Sequence, residues 1–232
     1  MNPMAHISGF HKPSMKILLA CLALALPVPA LSALLRGQAP IDGGDGAFSN
    51  ISYGAQNADN FTVSAPERIE DITWWGSYDA VDADNFIVRI LSDSAGAPGA
   101  VLRDYQSISV AATPTALADI HAAPVYRYDF TLPDSLVLPS GSFYLSIMNE
   151  TQNFAWYWLA GSGGDSGDWQ RVGDGDAWSR QANGDLAFGI GGTRLTALAE
   201  PPSLVLFGLG LSTLAVGLAR NRHKASRNLD WG

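Results

Sequence analysis

The chain has 232 residues, 22 of them acidic against 14 basic, a net charge of −8 and one cysteine. This charge argues against nucleic acid as a partner, because phosphate contacts need a basic surface. A single cysteine excludes a disulfide framework and a cysteine-based metal centre, and the length allows one domain of ordinary size plus terminal segments.

At the N-terminus, Met15-Lys16 precedes the apolar run from Ile17 to Ala30. A short positive region, an apolar stretch and small residues around Ala30, Ser32 or Ala33 are the parts of a secretory signal peptide. Residues 1–33 are therefore expected to be an N-terminal extension and signal peptide, with Met1 and Met15 as alternative starts. Cys21 falls inside the apolar stretch, with four apolar residues between it and Lys16. That is too few for it to serve as a lipoprotein acceptor, so the mature chain is expected to lack cysteine.

Residues 34–198 read as one β-rich domain. From Leu34 to Ala199 there are 20 acidic residues and eight basic ones, all arginine, a net of −12. Short alternating apolar segments predict strands at Phe61 to Val63, Ile69 to Trp75, Phe86 to Leu91, Val101 to Val110, Val125 to Phe130, Phe143 to Met148, Phe154 to Leu159, Trp169 to Val172 and Leu186 to Ile190. Between them stand turn residues, among them Asp93 to Gly99, Pro139-Ser140-Gly141 and Asn183-Gly184, where glycine and asparagine accept positive φ. The small, proline-containing stretch from Ala111 to Pro124 predicts a crossover loop. Short strands at this spacing, with no amphipathic helix, predict an all-β, antiparallel, jelly-roll-like β-sandwich, with a closed barrel as the alternative.

Chemistry-bearing residues are few. His121 is the one histidine of residues 34–198, so a histidine-based zinc site cannot form and a Ser-His-Asp site would have to use it. Its Ala-Pro-rich surroundings point to an exposed loop residue. A glycan hydrolase needs only two carboxylates, for which Asp129 and Glu150 are the candidates, although strand alternation turns Asp129 outward. Six tryptophans lie in the domain; Trp75, Trp156 and Trp158 are the candidate sugar contacts of a carbohydrate-binding module, against the plainer role of filling a core. In the acidic glycine loop from Gly161 to Asp176, Asp165, Asp168, Asp174 and Asp176 offer the hard oxygens that calcium takes. Their spacing matches no EF-hand, and solvated turns are the plainer reading. No other cofactor is indicated, and no catalytic residue is assigned.

At the C-terminus, residues 199–232 combine Glu200-Pro201-Pro202, an uncharged run from Ser203 to Ala219, and Arg220, Arg222, Lys224 and Arg227. The 17 residues of that run would span about 25 Å as a helix, near the lower limit for crossing a bilayer. The basic cluster would remain cytoplasmic, leaving the preceding domain outside.

This order of an acidic-proline element, a short membrane span and a basic end resembles the PEP-CTERM sorting signal of exported Gram-negative bacterial proteins. Ala199 stands where the first proline of that motif is usual, and the basic end continues through Asn228 to Gly232. The segments Ala58 to Val63, Ile72 to Tyr78, Phe86 to Asp93 with Ala97-Pro98-Gly99, Gly141 to Ser146 and Trp156 to Trp158 likewise resemble a β-rich module of such proteins, one without an established activity. The resemblance implies processing near Glu200-Pro201 by an exosortase, transfer from the inner membrane to the cell surface or medium, and a place in an exopolysaccharide-containing biofilm matrix. The expectation is an exported, surface-sorted, non-catalytic matrix or envelope component, with a carbohydrate-binding module and a carboxylate-dependent hydrolase as alternatives.

Overall fold

The computed structural model describes residues 32–78, 85–152, 154–182 and 184–195. The signal-peptide stretch before Ser32 and the sorting segment with Glu200, Pro201, the 203–219 span, Arg220, Arg222 and Lys224 lie outside the described residues. Within them, fourteen strands run in chain order: β1 (Ala33–Pro40), β2 (Gly46–Phe48), β3 (Gln56–Val63), β4 (Glu67–Tyr78), β5 (Asn85–Ser94), β6 (Ala97–Ser109), β7 (Thr113–Ala118), β8 (Pro124–Leu138), β9 (Gly141–Asn149), β10 (Trp156–Ser162), β11 (Trp169–Arg171), β12 (Ser179–Arg180), β13 (Asp185–Leu186) and β14 (Phe188–Arg194). A 3-10 turn occupies Ile51–Tyr53. No helix among the described residues is long and apolar enough to cross a membrane.

The strands form two sheets in which every ladder is antiparallel. One sheet is ordered β13-β10-β1-β14-β4-β8-β7, with β2 beside β10, and the other β12-β11-β3-β9-β5-β6. Strand β10 also pairs with β4, through Trp156↔Tyr78 and Trp158↔Gly76. It thus continues, end to end, the slot between β1 and β4 that β14 fills further along. Among the described residues the two sheets do not join into a closed ladder, so the barrel alternative is not met.

Alternation explains which side chains meet between the sheets. Phe61 and Val63 of β3, Phe86, Val88 and Ile90 of β5, and Leu145 and Ile147 of β9 face Ile69, Ile72, Trp74, Tyr128, Phe188 and Ile190 of the other sheet in one cluster. Phe86 is the joint. Its ring lies 5.1 Å edge-on from both Trp74 and Trp156 and 4.9 Å from Tyr128. The inward positions of β4 change from Glu67 and Ile69 to Ile72 and Trp74 because the register slips between Ile69 and Asp71. Such a bulge inserts one residue and restores the correct face. Its partner strand absorbs the slip at Gly191 and Gly192, where a Cβ on Gly192 would collide with the Arg68 carbonyl oxygen.

Two sequence expectations need correction. The stretch from Ala111 to Pro124 does cross between sheets, but Thr113–Ala118 within it is β7, paired with β8 through Thr113↔Arg127 and Pro114↔Tyr126. An edge strand tolerates Pro114 because its outer side needs no donor, which is why the proline reading misled. Strand β1 was not expected, since Leu-Leu-Arg-Gly-Gln lacks clean alternation. It nevertheless pairs with β14 along Ala33 to Gln38 and with β10 at Ala39 and Pro40. Within the Asp93 to Gly99 segment, Ala95 and Gly96 take positive φ, 55° and 83°, as a two-residue hairpin turn requires.

Candidate functional site

Strand β3 carries an ionisable residue on its inward face. Asp59 follows the same alternation as Phe61 and Val63 and is 0% exposed. Its oxygens accept the backbone N–H groups of Asn60 and Leu186, each at 2.6 Å, so it ties β3 to β13 across the two sheets. Asp185, at the start of β13, accepts the N–H of Gly164 at 2.8 Å and of Ser166 at 2.7 Å. Asp165 lies between those two donors in the β10–β11 loop and accepts Asn60 Nδ2 at 2.9 Å and Arg180 at 3.2 Å. Carboxylate oxygens of Asp59, Asp165 and Asp185 lie within 4.8 Å of one another. A cleft of about 350 Å³, lined by Arg36, Gln38, Asn60, Gly163, Gly164 and Asp165 among others, opens beside them.

Burial dominates the electrostatics. It pushes the Asp59 carboxyl up to about 8, with the negative charge of Asp185 adding to the rise and the two backbone donors only moderating it. Asp59 is therefore largely protonated at neutral pH. In EDTA-containing buffer the folded protein then holds a proton that the unfolded chain releases above about pH 4. Stability should fall as pH rises from about 4 to 8, by up to about 1.4 kcal/mol per pH unit. Asp168, raised by burial, works in the same direction. Urea midpoints at pH 5 and pH 8 measure the slope, and Asp59→Asn should flatten most of it; an unchanged slope would show that Asp59 titrates normally.

Of the four calcium candidates, only Asp165 joins this cluster. Asp168 is buried, with Oδ1 unpartnered. Asp174 accepts both Arg89 amines at 2.7 and 3.1 Å and Arg171 at 2.6 Å, and the Arg89 hydrogen bonds hold it below its usual value. Asp176 closes its own turn by accepting the Gly173 N–H. Asp165 and Asp174 thus pair with arginine, Asp176 closes a turn, and Asp168 is buried. Sequence reasoning missed Asp59, Asp185 and Gln38, although an aspartate at an inward position of an alternating strand was a legible signal.

The sugar-contact expectation is corrected at two positions. Trp156 and Trp158 do share one face of β10, but that face is the core and both are 0% exposed. Only Trp75 is half-buried, with the Arg127 guanidinium 6.0 Å from its ring centroid.

The hydrolase pair is not assembled. Asp129 lies outward on β8, where it accepts Thr73 Oγ1 and Arg127, both at 2.7 Å, while Glu150 follows β9 in the other sheet. His121 is exposed and meets Asp119 through its backbone N–H at 2.9 Å. The Ser77 hydroxyl donates straight to Asp119 at 2.7 Å, whereas a triad would place the imidazole between them. Burial alone would raise Asp119, but the donors Ser77, Ala123 and His121 outweigh it and leave the carboxyl below its usual value.

No protein-family model, curated protein or solved structure matches this chain.

Proposed function

We propose that this chain is an exported, surface-sorted, non-catalytic β-sandwich of jelly-roll type. It serves as a component of the cell envelope or of an exopolysaccharide-containing matrix. Strands β3 and β4 pair with β9 and β8 respectively, a ribbon folded across two sheets as in jelly rolls. The observation that carries the functional reading is the pairing of Ala33 with Gly192. The segments read as signal peptide and sorting tail join the body at neighbouring positions of one sheet. A body joined at one place leaves its remaining surface available outside the membrane, both before and after processing. That surface is acidic, and Arg36, Arg89, Arg127, Arg171, Arg180 and Arg194 are all engaged in internal ion pairs.

The test is intact mass and cell fractionation of the product in a Gram-negative host that has an exosortase, with and without residues 200–232. The expected result is a product ending near Glu200 at the surface or in the medium, and retention or misrouting when the tail is deleted. An uncut product held in the inner membrane would overturn the sorting part of the proposal.

A further inference from the structure

We propose that Asp59, Asp165, Asp185 and the side-chain carbonyl of Gln38 form a calcium site where β3, β13 and the β10–β11 loop meet. The site is independent of where the C-terminal tail sends the protein.

The first support is spacing. Oxygens bound to one calcium ion at about 2.4 Å lie at most about 4.8 Å apart, and the three carboxylates fall within 4.8 Å. They come from three separate stretches of chain, so it is the fold that gathers them.

The second support comes from Gln38, which belongs to none of those stretches. It is 4% exposed and its Oε1 has no hydrogen-bond partner, a costly state for a buried carbonyl. Its amide lies close enough to Asp59 to favour the charged carboxylate and makes a long bond from Nε2 to the Asn60 carbonyl at 3.4 Å. The point where a Cβ on Gly164 would lie is 2.5 Å from both Gln38 Nε2 and Asp185 Oδ1. The glutamine amide therefore points into the carboxylate cluster, and its last torsion is soft enough to turn Oε1 onto an ion.

Ligand chemistry selects the ion. An all-oxygen set is hard and suits calcium or magnesium rather than zinc or copper. Once the ion displaces the Asp59 proton, three carboxylates face one guanidinium, that of Arg180, half exposed on Asp165, an imbalance suited to a divalent ion. Calcium accepts six to eight oxygens in irregular geometry, whereas magnesium demands a near-ideal octahedron. Gly163, at φ 101°, and Gly164 lack the side chains that would keep loop backbone away, and the adjoining cleft admits water as further ligands. The Gly164 and Ser166 N–H groups orient Asp185 from behind, as outer partners of metal ligands do. A bound ion would then staple the β10–β11 loop to both sheets in a domain that has no disulfide.

The experiment uses the full-length chain in mild detergent, stripped with EDTA and titrated with calcium chloride. The thermal midpoint should rise by about 5–10 °C once calcium exceeds Kd about 100-fold, with Kd about 10⁻⁴–10⁻³ M if the site behaves like other extracellular modules. Magnesium at equal concentration should give a much smaller shift. Asp165→Asn, an exposed loop substitution, should remove most of the calcium shift, while Asp176→Asn, equal in charge change but outside the cluster, should retain it. No calcium shift in the unaltered chain, or an equal shift in Asp165→Asn and Asp176→Asn, would overturn the proposal.

Discussion

Replacing Trp158 with alanine is expected to remove about 3–5 kcal/mol of stability, a large share of what a domain of this size possesses. The indole is 0% exposed, and its Nε1 donates to the Ala187 carbonyl at 2.8 Å. The substitution opens a cavity between the sheets and leaves that carbonyl without its donor, in the short break between β13 and β14. Those strands diverge at Ala187, β13 following β10 and β14 following β4, so the indole fixes the point where the sheet divides. A thermal midpoint lower by about 10 °C or more is the expected reading. Trp75→Ala is the matched control. Its ring is half-buried on the opposite face, so the loss should be about 1 kcal/mol. Equal losses for the two variants would refute the assignment of faces along these strands.

Glu67→Leu is the second large effect, at about 3 kcal/mol or more. Glu67 is fully buried on β4 and receives the Arg36 guanidinium from β1, with Arg194 of β14 3.4 Å away. One carboxylate thus gathers cations from the two strands that carry the chain into and out of the body. Removing it leaves Arg36, whose side chain is 15% exposed, as a charge in poor contact with water. That uncompensated charge is the main cost, because a buried pair itself contributes little beyond its own desolvation. The double variant Glu67→Leu/Arg36→Met should therefore recover much of the loss. Unfolding in urea, with the four-member cycle completed, measures the coupling. Additive losses would mean that the two groups do not depend on each other.

The second prediction concerns the region where the two ends of the described body meet. Arg36 and Arg194 lie on β1 and β14, the pair that also matches Ala33 with Gly192. A surface-sorted product cut near Glu200 would keep this junction whole, and a cut before Ala33 would keep β1. A cut further inside would remove part of β1 or β14 and with it the pairing of Arg36 or Arg194 with Glu67.

The strand pattern was legible at Ile69 to Trp75, Phe86 to Leu91 and Phe143 to Met148, because each is β-branched or aromatic and flanked by turn residues. The outward charge of Asp129 and the shared face of Trp156 and Trp158 were legible for the same reason: alternation of period two is a local property. Strand β7 was hidden by Pro114, and β1 by its uneven polarity. A residue pattern records what a strand's own faces require, not which neighbour it finds.

The acidic cluster shows the limit most clearly. The sequence showed that the Gly161 to Asp176 loop was rich in hard oxygens, and it marked Asp165 as one of four equivalent candidates. It did not show that Arg89 and Arg171 take Asp174, or that Asp59 and Asp185 come to stand beside Asp165, 106 and 20 residues away along the chain.

The sequence by itself determined the β-rich body, its acidity, its lack of cysteine and the composition of its two ends, because these follow from local periodicity and residue counts. Only the tertiary structure decided which face of β10 is core, which aspartates share a site, and that Ala33 lies against Gly192. Each of these depends on the pairing of distant segments, and that is set by the summed packing and desolvation of the whole chain rather than by any one stretch of it.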